Sequence, residues 1–218
     1  MKSFHVAFAS LAAACFLSGC VTGRRSFDVG LESGSSARAD VAAKGALVFE
    51  KVTDARHFEN KPGDPSTPSV HGDMNALSAD ERSRFIGRQR NTFGHAMGEI
   101  VLPNGKTVQT KIVEIMTEGL KRRGYSVVAA SPAQGTVTVD VQDFWSWTTP
   151  GFWALSFEAR IGCKVSIECD GKKATFQVRG YALNHGQFAK DKNWQEAYEE
   201  AFADFLKDFD LQLKDNGF

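Results

Sequence analysis

WALSFEARIGCKVSIECDGKKATFQVRGYAL, residues 153–183, decides how the rest of the chain is read. Trp153, Leu155, Phe157, Ala159, Ile161, Cys163, Val165, Ile167 and Cys169 occupy every second position, with Glu158, Arg160, Lys164, Ser166 and Glu168 between them. Period two over that length describes a long strand with one buried face. Asp170-Gly171 is a two-residue hairpin signal, and it sets a register. Cys169 faces Lys172, Glu168 faces Lys173, Val165 faces Phe176, Cys163 faces Val178 and Arg160 faces Tyr181. Apolar residues then meet on one face, while opposite charges and a cation–π pair of Arg160 with Tyr181 meet on the other. A slip of one residue would destroy both matches. The hairpin is expected over residues 153–184.

The register also governs the cysteines. Cys163 and Cys169 stand six residues apart on one strand, about 20 Å at 3.3 Å per residue. A disulfide needs α-carbons about 4.4–6.8 Å apart, so these two are expected as buried thiols.

Upstream, residues 46–52 (ALVFEKV) read as a strand by their β-branched and aromatic content. Residues 54–84 are polar, carry Pro62, Pro65 and Pro68, and show no periodicity. So long a stretch within a compact domain is either a binding loop or a mobile insertion. Residues 97–102 can form another strand. Residues 106–123 place Val108, Ile112, Ile115, Met116, Gly119 and Leu120 on one helical face, with Lys121, Arg122 and Arg123 at the end the helix dipole favours and Gly124 as stop. Residues 125–129 resume as a strand, and TVTVDVQDFWSW, 136–147, alternates with Val137, Val139 and Val141 on one face. Residues 193–213 form a second helix with an aromatic stripe of Trp194, Tyr198, Phe202, Phe205 and Phe209, capped by Asn193 and Glu196. The expected fold class is α+β: a mainly antiparallel sheet, the long hairpin, and two amphipathic helices packed on it.

The N-terminus carries the clearest functional signal. Lys2 precedes an apolar run of 14 residues, 4–17 (FHVAFASLAAACFL), and LSGC follows at 17–20. The run is too short to span about 30 Å of hydrocarbon, but it fits a secretory signal. Leu-Ser-Gly-Cys resembles the bacterial lipobox, which implies cleavage before Cys20 and a diacylglycerol on its thiol. The expected organisation is a signal peptide at 1–19, a lipidated cysteine and flexible tether at 20–44, and one periplasmic domain at 45–218. If flexible, residues 21–44 would average about 27 Å end to end. Val21 stands where an aspartate would retain an enteric lipoprotein at the inner membrane, so the resemblance points to the outer membrane, facing the periplasm.

Composition narrows the partners. Basic and acidic residues balance at 26 each, which gives no expectation of nucleic-acid binding. His57, His71, His95 and His185 are scattered, with no zinc spacing, and no GxSxG elbow, P-loop or dinucleotide fingerprint occurs. No catalytic residue, metal or cofactor is expected. The aromatic cluster DFWSWTTPGFW, 143–153, has two readings. Trp147, Phe152 and Trp153 could present a partner-binding patch on the turn at Thr149-Pro150-Gly151, for another envelope protein or a glycolipid. Alternatively Trp145 and Trp147, in phase with Val141, extend the core face while Phe144 points away.

The lipobox, then Ile86, Gly87, Arg90, Asn91, Phe93 and Gly94 in IG-x3-RN-x-FG, a helix ending in RGYSVV and a valine-rich strand are together similar to the YajG-like bacterial lipoproteins. The likeness covers about residues 45–213, is clearest over 86–145, and offers no catalytic residue to carry over. It implies a membrane-anchored, non-enzymatic binding or accessory module of the envelope. An auxiliary lipoprotein of an ABC-type lipid transport system is the alternative.

Overall fold

In the computed structural model, residues 23–31, 41–91, 93, 95–130, 132–151, 153–187 and 189–218 are described. The strands are β1 (Arg25–Ser26), β2 (Gly45–Asp54), β3 (Phe85–Arg90), β4 (Ala96–Val101), β5 (Tyr125–Val127), β6 (Gly135–Pro150), β7 (Leu155–Cys169) and β8 (Lys172–Gly186). The helices are α1 (Ala79–Arg82), α2 (Val108–Arg122) and α3 (Asp191–Asp215).

The hairpin of β7 and β8 has the register read from the sequence, including Cys169 opposite Lys172, Val165 opposite Phe176 and Arg160 opposite Tyr181. Asp170 and Gly171 both take positive φ, 50° and 76°, as the two-residue turn demands. Lys173 pairs with Glu168 at 3.2 Å. The expected Arg160–Tyr181 cation–π pair does not form. Arg160 lies over the Trp147 ring at 5.7 Å, and the Tyr181 hydroxyl donates to Glu158 Oε2 at 2.7 Å.

The fold is α+β, but the sheet is mixed rather than mainly antiparallel. Among the described residues, four of its seven strand pairings are parallel: β1–β4, β2–β5, β2–β6 and β3–β6. The reason lies in the connections. Among the described residues hairpin turns join only β3 to β4, β6 to β7 and β7 to β8. The crossover through residues 55–84 instead brings β3 in parallel to β2, and α2 carries the chain from β4 across the sheet to β5, which lies parallel to β2. β6, at 16 residues, is the spine. One side pairs along its whole length with β7, and the other is divided, the first half taken by β2 and the second by β3. A third, four-residue helix, α1, joins the two expected long ones, and lies inside the 54–84 stretch with its own Ser78–Glu81 capping box.

α2 and α3 cover one face of this sheet. α2 begins at a Thr107 cap, and its buried Ile112, Ile115, Met116 and Leu120 are those the helical spacing predicts. α3 starts two residues before the expected cap, at Asp191. Asn193 lies inside the helix, and Glu196 accepts from Asn184 Nδ2 at 2.9 Å instead of closing a capping box. Between α3 and the edge strand β8 there is no room for a side chain at Gly180. A Cβ there would lie 2.3 Å from the Ala201 carbonyl oxygen. The proximity lets Asp208 and Asp204 accept from the outward backbone N–H groups of Arg179 and Tyr181, at 2.8 and 3.2 Å.

Two expectations at the start of the domain change. Residues 23–31 are part of the fold, not tether: Arg25 and Ser26 pair with Ile100 and Val101, and Phe27 and Val29 are buried in the main core. The 54–84 stretch is likewise packed. Phe58 and Val70 join Phe85, Val101, Trp145 and Trp147 in a second, smaller core on the sheet face opposite the long helices.

Arg56 ties that stretch down. Its guanidinium pairs with Asp54 (2.7 and 2.8 Å) and donates to the carbonyls of Phe85 (2.6 Å), Phe144 (2.9 Å) and Arg82 (3.1 Å). Arg56→Ala is expected to cost about 3–5 kcal/mol in urea unfolding, because it strands a part-buried carboxylate and three carbonyls. Arg56→Lys should recover only part, since an ammonium cannot span that fork.

Cys163 and Cys169 are both free and buried. Burial pushes both thiols up, Cys163 most strongly, so neither supplies thiolate near neutral pH. Intact-mass analysis should show neither cysteine alkylated in the native protein and both after denaturation; a Cys163–Cys169 disulfide would contradict the register.

Candidate functional site

The aromatic cluster divides between core and surface. A β-bulge between Val141 and Asp143 shifts the alternation of β6 by one. Phe144 therefore joins Val141 on the helix face, against Tyr198 and Phe202 at ring distances of 5.2 and 5.8 Å. Trp145 and Trp147 turn to the opposite face, where the 55–77 segment covers them. Trp145 is fully buried, edge-on to Phe58, and its indole N–H donates to the Pro65 carbonyl at 3.3 Å. Trp147 is only 6% exposed, so of the expected patch it presents almost nothing to solvent. Trp153 is 87% exposed in the β6–β7 turn, and Phe152 lies outside the described residues, as does Cys20. The core reading of Trp145 and Trp147 assumed unbroken alternation; both are core, but of the second core, and Phe144 takes the main-core face it was expected to point away from.

The same face carries a feature that sequence reading missed. Arg88 and Arg90, two apart on β3, point to the covered side beside Trp147, whose register partner is Arg88. They form the floor of an open groove of about 940 Å³, whose walls include Lys61, His71, Asp73 and His95. The two arginines are only 5% and 8% exposed. Arg88 Nη1 donates to Ser69 Oγ at 3.1 Å and to the Val70 carbonyl at 2.9 Å, and Arg90 Nη2 donates to the Pro62 carbonyl at 3.2 Å. Arg88 Nε is buried without a hydrogen-bond partner, and no ion pair among the described residues involves Arg88.

Electrostatically the floor is unfinished. Burial pulls both guanidinium pKa values below their usual range, with Glu99 attracting Arg88 and Asp64 attracting Arg90 in partial compensation. Glu99 is occupied elsewhere: one oxygen pairs with Arg24 at 3.0 Å and the other accepts the His71 backbone N–H at 2.6 Å. The lining thus sets three basic side chains against the single carboxylate of Asp73. Arg88, a buried guanidinium with no ion pair among the described residues, suits an anionic oxygen ligand at the groove. Among the described residues no three His, Cys, Asp or Glu side chains converge as metal ligands.

A signal for this site existed in FIGRQR, where two arginines at i and i+2 share one strand face. Its burial depended on the 54–84 stretch folding over it, which no local pattern announces.

No family model and no curated protein matches the chain. Solved structures similar to it include an uncharacterized protein (TM-score 0.48, 8% identity, covering 88% of this chain and 99% of that one). A Xanthomonas campestris protein described under the family DUF330 gives 0.49 at 12% identity, covering 88% and 95%. A hypothetical protein of Chlamydia trachomatis gives 0.42 at 10%, covering 77% and 96%.

The two ends of the aromatic cluster should respond differently to truncation. Trp145→Ala is expected to lose about 3–5 kcal/mol in chemical denaturation. Trp153→Ala should stay within about 0.5 kcal/mol, as an exposed turn residue.

Proposed function

We propose that this chain is a bacterial envelope lipoprotein, held to the membrane by lipid on Cys20 and acting as a non-enzymatic binding or accessory module. The observation that carries the reading is LSGC at the end of a 14-residue apolar run that starts behind Lys2. Several acyl chains on one cysteine give a firm hold without a spanning segment. None of the helices among the described residues is long and apolar enough to cross a membrane. The likeness to YajG-like lipoproteins supports the same assignment, and Val21 favours the outer membrane, facing the periplasm.

The binding role draws support from the groove lined by Arg88 and Arg90, where Arg88 is buried with no ion pair among the described residues. The same groove favours the second reading, an auxiliary lipoprotein of an ABC-type lipid transport system, because lipid headgroups carry phosphate.

Metabolic labelling with an alkyne palmitate analogue tests the anchor. The wild-type chain should take up label and sediment with membranes, whereas Cys20→Ser should lose both properties. Labelling of Cys20→Ser at the wild-type level would overturn the assignment.

A further inference from the structure

We infer that the end of the sheet bearing the β3–β4 and β6–β7 turns is the membrane-facing surface, and that the Arg88–Arg90 groove receives the phosphate of a phospholipid headgroup. The inference rests on the lipoprotein reading above and adds to it a ligand and an orientation.

Three independent features meet at this end. First, β3 and β6 run parallel, with Arg88 opposite Trp147 and the Arg90 N–H donating to Thr148 Oγ1 at 3.0 Å, so their following turns emerge side by side. Each turn carries an exposed aromatic: Phe93 is 83% and Trp153 87% exposed. Aromatic rings at loop tips suit the headgroup level of a bilayer, where one end of the ring is apolar and the other wet. Second, the groove lies at the same end, because Arg90 closes β3 just before the turn and His95 follows it. Third, the chain enters the fold from there. β1 runs parallel to β4, and β4 runs away from the β3–β4 turn, so Gly23 and Arg24 lie toward the turn side of Arg25. Arg24 is held there by Glu99, the carboxylate that also accepts the His71 N–H on the groove wall. Cys20 precedes Gly23 by three residues, at most about 11 Å of chain. A lipid at Cys20 would therefore hold the bilayer within a short reach of this end.

The chemistry is complementary. A phosphate diester is an anion with paired oxygens, matched to a guanidinium fork. Its charge would offset the cost of burying Arg88 with no ion pair among the described residues. Lys61 adds positive potential at the rim, against Asp73 on the wall and Asp64 near Arg90. A soluble phosphate could use the floor but would give the aromatic tips nothing to do; a headgroup at the interface engages both.

The test is titration calorimetry on the full chain in a non-ionic detergent, with water-soluble dihexanoyl phosphatidylglycerol as probe. Saturable binding is expected, and Arg88→Gln should weaken it about ten-fold or more, the loss of a charge-assisted contact. Arg88 is buried, so the exposed rim variant Lys61→Glu/His95→Glu runs beside it and should lose affinity at an unchanged melting temperature. Absence of lipid binding by the wild-type chain, or wild-type affinity in both variants, overturns the site. Inorganic phosphate and glycerol 1-phosphate form the second arm: binding as tight as the lipid's makes this a soluble-phosphate site and overturns the membrane assignment. In a Cys20→Ser background, Phe93→Ser/Trp153→Ser should reduce partition onto phosphatidylglycerol vesicles while leaving the calorimetric binding in place; undiminished partition overturns the orientation. Acylation is scored separately. An unacylated chain that binds the probe loses only the lipoprotein reading, and an acylated chain that does not loses only this inference.

Discussion

The guanidinium of Arg56 bridges the fork where β2 and β3 share one side of β6. β6 has two partners on the same side, β2 up to Val141 and β3 from Ser146, and neither reaches across the gap between them. The Phe144 carbonyl of β6 and the Phe85 carbonyl of β3 both face that gap. Buried carbonyls left without donors would each cost of order 1–3 kcal/mol. Arg56 supplies a donor to both, while Asp54, two residues earlier at the end of β2, neutralises it in a two-pronged pair. On the opposite face Tyr198 and Ser146 satisfy the next carbonyl, that of Ile86. Every strand beyond the fork (β3, β4 and β1) is positioned by this arrangement, and so is the groove.

The bulge at Val141–Asp143 belongs to the same junction. One extra residue re-aims all that follows on β6, sending Phe144 to the helices and both tryptophans to the other face. Without it Trp145 and Trp147 would compete with Tyr198 and Phe202 for the main core, and the face beneath residues 55–77 would keep Phe85 and Val101 but lose both tryptophans. The second core exists because of a single local irregularity, and the groove's walls exist because that second core holds the loop down.

This explains which parts of the fold were legible in the sequence. The β7–β8 register was readable to the residue because alternation and the Asp170-Gly171 turn are both local and agree with each other. α2 was readable because its stripe and its stop coincide. The parallel pairings were not, since a crossover of 30 residues leaves no trace in the periodicity of the strands it joins. Nor was the bulge, which is a break in a pattern rather than a pattern. Phe27 and Val29 looked like isolated apolar residues in a Gly/Ser/Ala-rich stretch, yet two paired residues, Arg25 and Ser26, are enough to bring them into the core. Of the residues singled out for function, Trp153 kept the exposure its turn implied and Trp147 did not, and Arg88 and Arg90 passed for ordinary strand residues.

The arginines of this domain show how burial separates structure from function. Arg56 and Arg88 are almost equally inaccessible, at 7% and 5% exposed. Arg56 has a carboxylate on two of its nitrogens and carbonyls for the rest, so its charge is consumed in holding the fork together. Arg88 has one hydroxyl and one carbonyl on a single nitrogen, no ion pair among the described residues, and an open groove in front of it. A fold that needed only a filler beside Trp147 would be served better by a leucine or methionine, which carry no desolvation cost. Phe85, on the same strand, shows that the face accepts apolar side chains without difficulty. The retained charge at Arg88 is therefore excess to the packing. What separates the two arginines is pairing rather than burial: Arg56 is neutralised by Asp54, and Arg88 stands at the groove with no ion pair among the described residues.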